Sequence, residues 1–187
     1  MPSLVTKRLR LVPITLPMVE AVLHHDRAGA EAALDESLRG SGVPESSLGA
    51  RFPDSWPNDD LVSRAFPFSL DAIRGAPDVR LWGDSMVLRL DTPRVVGSVV
   101  FRGKPEDGVA EIGYGIEDTS RGIGLASEAT LACVEWALRQ PGITAVRATT
   151  FPFHHASLGV IRKLGMHPCG TREHAMLGDL IVFERRR

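Results

Sequence analysis

Cysteine is scarce in this sequence, with only Cys133 and Cys169 among 187 residues. Two cysteines do not make a disulfide framework, and they do not supply the ligands of a structural zinc site. Cys133 lies in an apolar segment with helical character, so we expect its thiol to be buried and unreactive. We therefore expect no metal and a reducing, cytoplasmic environment.

Long apolar segments and a large excess of charge are also missing. No stretch approaches the ~20 apolar residues that span a bilayer, and the N-terminus lacks the apolar core of a signal peptide. The net charge of −1 and the pI of 6.6 create no broad field that would attract nucleic acid or a membrane. The length predicts one domain over residues 1–187.

The most informative stretch runs from Val109 to Leu138. It opens with an extended apolar segment, bends at Arg121-Gly122-Ile123-Gly124, and continues with good helix formers that include neither Gly nor Pro. The first N–H groups of a helix have no partner within it, and the helix dipole adds partial positive charge there. Because glycine lets the backbone approach a ligand closely, the pattern predicts a phosphate-binding site.

Two common phosphate motifs fit this bend poorly. A Walker loop requires a Lys directly after its last glycine, and none follows Gly124. The dinucleotide fingerprint requires Gly or Ala where Ser127 stands, and an acidic residue about 20 positions on, where Thr144 and Ala145 lie. A nucleotide-dependent oxidoreductase is therefore an alternative that only the glycine pair supports.

Periodicity and turn residues predict the remaining elements. Strands are expected at 7–14, 81–90, 94–101, 109–116, 144–150, 166–173 and 176–184. Helices are expected at 18–25, 30–38, 59–65 (capped by Asn58), 69–74, 125–138 and 155–164. Short turns join the middle strands into an antiparallel meander, and the later helices make parallel crossovers. The predicted fold is a mixed, twisted α/β sheet of about seven strands flanked by helices.

Four segments in this order resemble the GNAT N-acetyltransferase superfamily, whose members bind acetyl-CoA. TKRLRLVPIT (6–15) is similar to the first strand of the branch with the ribosomal-protein N-terminal acetyltransferases. EIGYGI (111–116) is similar to the fourth strand of the family, and Arg121-x-x-Gly124-x-Ala126 resembles its pyrophosphate loop. HHASLGVIRKLGM (154–166) resembles its Asn-x-x-Ser/Ala…Lys-x-Gly-Phe segment. Together these segments cover roughly residues 4–24 and 95–187.

The resemblance implies that acetyl-CoA is the donor. In the family, the pantetheine arm lies beside the splayed fourth strand, and backbone N–H groups of the loop bind the pyrophosphate. Arg121 would add positive charge there. The residues expected to contact the cofactor are Ile112, Gly113, Tyr114, Arg121, Gly122, Ile123, Gly124, Leu125, Ala126, His154 and Ser157.

Glu111 is the candidate general base, because the resemblance places it beside the thioester. A partly desolvated carboxylate can take a proton from an ammonium group directly or through water. The alternative is a carboxylate that fixes a loop or binds the cation of the substrate.

The residue that serves as general acid is open. Many members of the family carry a tyrosine where this chain has Ile161. Ser157 can hydrogen-bond the thiol sulfur, or it can cap a helix. His154 replaces the usual Asn and can bind the cofactor or shuttle protons, or it can be a surface imidazole. Tyr114, the only tyrosine, either points into the cleft or packs in the sheet.

Trp56 and Trp82 are the candidates for an acceptor pocket, since Trp56 lies in a Pro-rich loop and loops carry specificity. Asp54, Asp59 and Asp60 nearby can attract an amine or face solvent. Trp136, at helical spacing from Cys133, is expected in the core.

The predicted function is acetyl transfer from acetyl-CoA to a primary amine by direct attack in a ternary complex. The acceptor is a protein N-terminus or a small molecule such as an amino acid, a polyamine or an aminoglycoside. The alternative is a CoA-binding sensor or interaction module, which the missing tyrosine and the replaced Asn suggest. A homodimer through a sheet edge or the C-terminal hairpin is a further expectation.

Overall fold

The computed structural model of the chain describes residues 1–43, 45, 48–54, 70–174 and 178–187. These residues form one eight-stranded sheet. The strands are β1 (Leu4–Val5), β2 (Leu9–Pro13), β3 (Ser85–Arg89), β4 (Val95–Phe101), β5 (Val109–Ile116), β6 (Ala145–Thr150), β7 (His167–His174) and β8 (Gly178–Arg186).

The order of strands across the sheet is β1-β2-β3-β4-β5-β6-β8-β7. β5 and β6 are parallel, and all other neighbours are antiparallel. This arrangement confirms the predicted mixed α/β sheet. The short strand β1, which pairs with β2 at the edge, was not predicted.

Six helices flank the described part of the sheet. They are α1 (Leu16–Leu23), α2 (Arg27–Gly40), α3 (Leu70–Gly75), α4 (Pro77–Arg80), α5 (Leu125–Arg139) and α6 (His155–Lys163). A 3-10 turn at Asp118–Ser120 links β5 to the bend before α5. Among the described residues, no helix combines the length and apolarity that crossing a membrane requires.

Two hydrophobic cores lie on opposite faces of the sheet. One core joins α5 and α6 to alternate residues of the strands, including Leu9 and Leu11 of β2. The other joins α1 and α2 to residues of the opposite parity, such as Val12. Trp136 and Cys133 are buried in the first core, as predicted. Side chains alternate between the two faces along a strand, and both faces carry a core. The central strands therefore have apolar residues on both faces.

The predicted strand at 81–90 is too long at its start, because the chain turns at Gly83 before β3 begins. Gly83 has a φ of +78°, and a Cβ at this position would lie 2.5 Å from a ring carbon of Phe101. Only glycine fits this combination of positive φ and close packing. Upstream of the turn, Pro77 occupies the first turn of α4, which was not predicted.

The helix predicted at 30–38 is longer in the structure, as α2. Asp26 caps its N-terminus, since its Oδ1 accepts a hydrogen bond from the N–H of Gly29 at 2.9 Å. This cap places Gly29 in the first turn, where glycine does not end a helix. The helix predicted at 59–65, with its Asn58 cap, lies outside the described residues.

Candidate active site

β5 and β6 run side by side for three residue pairs and then separate. The pairing ends at Glu111 and Arg147. Beyond it, within the described part of the chain, Ile112–Ile116 pair only with β4, and Ala148–Thr150 pair only with β8. We call the space between these two segments the wedge. Backbone groups along its edges have no partner among the described strands on that side, so they are available to a ligand.

The wedge leads to the bend Arg121–Gly124, which we call the glycine loop. Gly122 and Gly124 have φ angles of 80° and 86°, which explains why glycine stands at both positions. Within the described part of the chain, no group accepts a hydrogen bond from the N–H of Gly122, Ile123 or Gly124. Gly124 is also the N-cap of α5. This run of free donors at a helix N-terminus fits a pyrophosphate group.

The Arg121 side chain folds back toward the strand that precedes the loop. Its Nε donates to the carbonyl oxygen of Ile116 at 2.9 Å, and its Nη2 lies 2.8 Å from Oδ1 of Asp118. The guanidinium is nevertheless exposed, at 66% of its full accessibility. Exposed ion pairs of this kind hold a side chain weakly, by about 0–1 kcal/mol. Arg121 is therefore free to turn toward an anion.

The Glu111 carboxylate lies on the sheet face opposite α5 and is ion-paired. Arg172 donates to both oxygens, from Nη1 to Oε1 at 3.0 Å and from Nη2 to Oε2 at 3.1 Å. Arg102 Nε lies 3.2 Å from Oε1, and the Thr149 hydroxyl donates to the same oxygen at 3.3 Å. Through Arg172 these contacts tie the carboxylate to β7, so Glu111 would have to lose a partner before it could accept a proton from an amine.

Nothing in the sequence pointed to these partners of Glu111. Arg102, Thr149 and Arg172 lie on three different segments, and β6 and β8 separate the strand of Arg172 from that of Glu111, so only the folded sheet brings all three to the carboxylate. Arginines at such positions are most often solvated, so no local signal marks them.

Tyr114 of β5 contacts Ser157 of α6. The phenol oxygen lies 3.0 Å from Ser157 Oγ, and it also donates to the Ser157 carbonyl oxygen at 3.3 Å. The ring packs against the core under α5. Burial raises the pKa of the Tyr114 phenol, although the hydrogen bond from Ser157 works in the opposite direction. The phenol is therefore protonated throughout the neutral range and can serve as a proton donor.

The N-cap of α6 is His154, so Ser157 does not occupy the capping position that was one of its two alternatives. Ser157 lies in the first turn of α6, where its hydroxyl pairs with Tyr114. The His154 ring is exposed and lies near the end of β6, with Nδ1 3.5 Å from the Thr150 hydroxyl. Ile161 is buried in the core, as its apolar side chain requires.

Trp82, a candidate for the acceptor pocket, is partly buried and packs against the hydrophobic core. Its ring lies 5.1 Å from the ring of Phe101 and 4.8 Å from that of Trp136. These contacts favour a packing role for the indole. Trp56, Asp59 and Asp60 lie outside the described residues. Asp54 is fully exposed, beside Arg27.

Comparisons with known proteins agree with this geometry. The family model of the acetyltransferase (GNAT) domain matches residues 50–167. An uncharacterized N-acetyltransferase of Bacillus subtilis (strain 168), YjdG, is 25% identical over 161 residues, which make up 86% of each chain.

Two solved structures of similar fold contain CoA or acetyl-CoA. RimL, a ribosomal L7/L12 α-N-protein acetyltransferase in complex with coenzyme A, has a TM-score of 0.61 at 20% identity, with coverage of 98% of this chain and 96% of that one. MccE, a microcin C7 self-immunity acetyltransferase in complex with acetyl-CoA and AMP, has a TM-score of 0.62 at 14% identity, with coverage of 97% and 94%. At these identities the likeness shows the fold alone.

The family match spans most of the chain and includes β5, the glycine loop, α5 and β6, which together build the wedge. On this match, the chain belongs to the GNAT acetyltransferase family.

Proposed function

We propose that this protein is an N-acetyltransferase that moves an acetyl group from acetyl-CoA to a primary amine. The observation that carries the proposal is the wedge between β5 and β6, together with the glycine loop that follows β5, whose N–H groups at Gly122, Ile123 and Gly124 have no acceptor among the described residues. An extended edge of backbone groups followed by an anion site matches a ligand with a pantetheine arm and a pyrophosphate.

Two parts of the chain would bind acetyl-CoA, namely the edge of β5 and the glycine loop. The edge of β5 at Ile112, Gly113 and Tyr114 would hydrogen-bond the pantetheine arm. The N–H groups from Gly122 to Ala126 would bind the pyrophosphate, and Arg121 would leave Asp118 to add its charge. Once bound, acetyl-CoA supplies an acyl group activated as a thioester.

Glu111 would act on the amine as a general base once one of its oxygens is released. Among the described residues, Oε2 accepts a hydrogen bond only from Arg172, whereas Oε1 is shared by three groups. Arg172 is 43% exposed, so its side chain can swing away without leaving a buried gap. An incoming ammonium would then replace the guanidinium at Oε2 and give up a proton there.

Tyr114 would supply the proton that the departing sulfur needs. Its phenol is protonated at neutral pH, and Ser157 of α6 holds it by a hydrogen bond. In this scheme, Ser157 orients the phenol. His154, exposed near the end of β6, remains a candidate for contact with the cofactor.

Thermal unfolding with acetyl-CoA, CoA and NAD, each at about 1 mM, tests the proposal. A ligand at ~100 times its Kd stabilises a fold by about 2.7 kcal/mol, which raises Tm by very roughly 5 °C for a domain of this size. We expect an upward shift with both CoA species and none with NAD. The variant Gly124→Glu places a carboxylate among the phosphate donors and should abolish the shift. A shift with NAD alone would support the oxidoreductase instead.

A turnover assay distinguishes an acetyltransferase from a CoA-binding module without catalytic activity. Release of free CoA thiol is followed with a panel of amines that includes amino acids, peptides with free N-termini, polyamines and aminoglycosides. Tight CoA binding without turnover of any amine would support the module.

Arg172→Gln tests the release of Glu111. If Arg172 only blocks the carboxylate, the variant should show a lower KM for the amine and a kcat that is unchanged or higher. A higher KM would mean that Arg172 binds the acceptor itself. Arg74→Gln, which removes an ion pair with Glu20 far from the wedge, is the matched control.

A further inference from the structure

The N-terminal segment is tied to the first turn of α5 through Glu128. Oε1 of this carboxylate accepts hydrogen bonds from the Thr6 hydroxyl at 2.6 Å and from the backbone N–H of Arg8 at 2.8 Å. Oε2 accepts one from Arg8 Nε at 2.7 Å. The Glu128 side chain is largely buried, at 19% of its full accessibility. The start of β2 is therefore fixed to the helix that follows the glycine loop.

The same arginine also holds the loop itself. Arg8 Nη1 donates to the carbonyl oxygen of Ile123 at 2.9 Å. Its Nη2 lies 3.6 Å from the place that a Cβ would occupy on Gly124. One planar guanidinium thus contacts both the loop and the first turn of the helix, and it fixes the distance between them.

Among the described residues, few other contacts hold the middle of the glycine loop at Gly122 and Ile123. Gly122 is open to solvent, with no atom within 4 Å of its Cβ position, and the Ile123 side chain is 54% exposed. Glycine has more conformational freedom than any other residue, so two glycines in one loop favour disorder unless other groups restrain them. Arg8 supplies that restraint from outside the loop.

The carboxylate at the centre of this arrangement is ionised at neutral pH. Burial opposes ionisation of Glu128, but the hydrogen bonds from Thr6 and Arg8 outweigh burial and lower its pKa. Its contacts with Arg8 are therefore charge-assisted, and such hydrogen bonds are shorter and stronger than neutral ones.

We propose that Thr6, Arg8 and Glu128 are positioning residues that keep the glycine loop in its binding conformation before acetyl-CoA arrives. The inference rests on the proposed function, because it assigns the loop to the pyrophosphate. None of the three residues needs to touch the reacting atoms. If only a fraction of molecules holds the competent loop, the apparent Kd rises by the inverse of that fraction.

Two variants test this role in the free protein and in the complex. Arg8→Ala removes both contacts, and Glu128→Gln keeps the shape of the side chain but removes its charge. Backbone order parameters of Gly122, Ile123 and Gly124, measured by NMR without ligand, should be near ~0.85 in the wild type and fall below ~0.6 in Arg8→Ala. A tenfold smaller competent population would raise the Kd for CoA about tenfold in calorimetry. The KM for the amine should not change.

Arg8→Lys separates positioning from simple attraction between Arg8 and an anionic ligand. Lysine keeps the charge but lacks the planar fork that reaches Ile123 and Glu128 together. We therefore expect Arg8→Lys to resemble Arg8→Ala in order parameters and in Kd. Arg74→Ala, which removes the comparable pair with Glu20, should leave both quantities unchanged.

Wild-type order parameters in Arg8→Ala and Glu128→Gln would overturn the inference, as would full restoration of the Kd by Arg8→Lys. The failure of the proposed function is a different result, namely that the wild type does not bind CoA. In that case the order parameters of the free protein still decide whether Arg8 holds the loop.

Discussion

Replacing Tyr114 with Phe is the most direct test of whether Tyr114 acts as the general acid. The change removes one oxygen and keeps the ring, which packs against the core. In structural terms, the loss is the hydrogen bonding of the phenol with the hydroxyl and the carbonyl oxygen of Ser157, worth about 1 kcal/mol for each contact. Loss of a general acid usually lowers the rate 10²–10⁴-fold, which corresponds to about 3–5 kcal/mol in the barrier. The catalytic effect should therefore exceed the structural effect clearly.

The assay measures initial rates of CoA release while acetyl-CoA and the amine are varied separately. We expect Tyr114→Phe to lower kcat at least ~100-fold, with little change in the Kd for CoA. Ser157→Ala should lower kcat less, since it leaves the phenol in place. The double variant should be no worse than Tyr114→Phe alone, because residues that act as one pair are not additive.

The pH profile gives an independent check of this assignment. A general acid must be protonated, so activity is lost as pH rises through its pKa. Burial raises the pKa of Tyr114 above the ordinary value of about 10, so its ionisation should not reduce kcat below that pH. A kcat for Tyr114→Phe within about threefold of the wild type would refute the role, and the proton would have to come from another group or from water.

Three further predictions concern the framework around the wedge. Burial raises the pKa of Asp84, so its stabilising contribution is present below the usual carboxyl pKa and is lost as pH rises through the raised one. Urea unfolding should therefore show that the stability gain of Asp84→Asn over the wild type grows from pH 4 to pH 7.5, and a constant difference would contradict this. Gly97→Ala should destabilise the fold by about 1–3 kcal/mol in the same assay, because its Cβ would lie 2.0 Å from the carbonyl oxygen of Gly115 across β4 and β5. Burial raises the pKa of the Cys133 thiol to about 12, whereas Cys169 is exposed, so a thiol reagent should label one cysteine in the native protein and two after denaturation.

The glycine loop and its flanking elements could be predicted from the sequence because their signals are local. The bounds of β5, Val109–Ile116, are those expected, and α5 begins at Leu125 as expected. The positive φ angles of Gly122 and Gly124 follow from the same residues that suggested a phosphate site. A bend and a helix start depend on neighbours in the chain, which a single sequence displays.

Trp82 shows where local signals were insufficient. The run from 81 to 90 has the composition of a strand, but the chain turns at Gly83, and the indole packs between Phe101 and Trp136. Those rings belong to β4 and α5. The turn is therefore determined by packing between segments that are distant in sequence, and tertiary contacts override local preference in such cases.

The sequence by itself determined the fold class, the place of the glycine loop before α5 and the burial of Cys133 and Trp136. Only the tertiary structure decided which polar groups meet. Glu111 pairs with Arg172, Tyr114 meets Ser157, and Glu128 accepts hydrogen bonds from Arg8, in each case across a long separation along the chain. For Glu111 and Arg172 the physical reason is register: side chains alternate between faces of a sheet, so a shift of one residue would send a partner to the opposite face. Ser157 and Glu128 lie on α6 and α5, so the packing of these helices on the sheet decides the other two contacts.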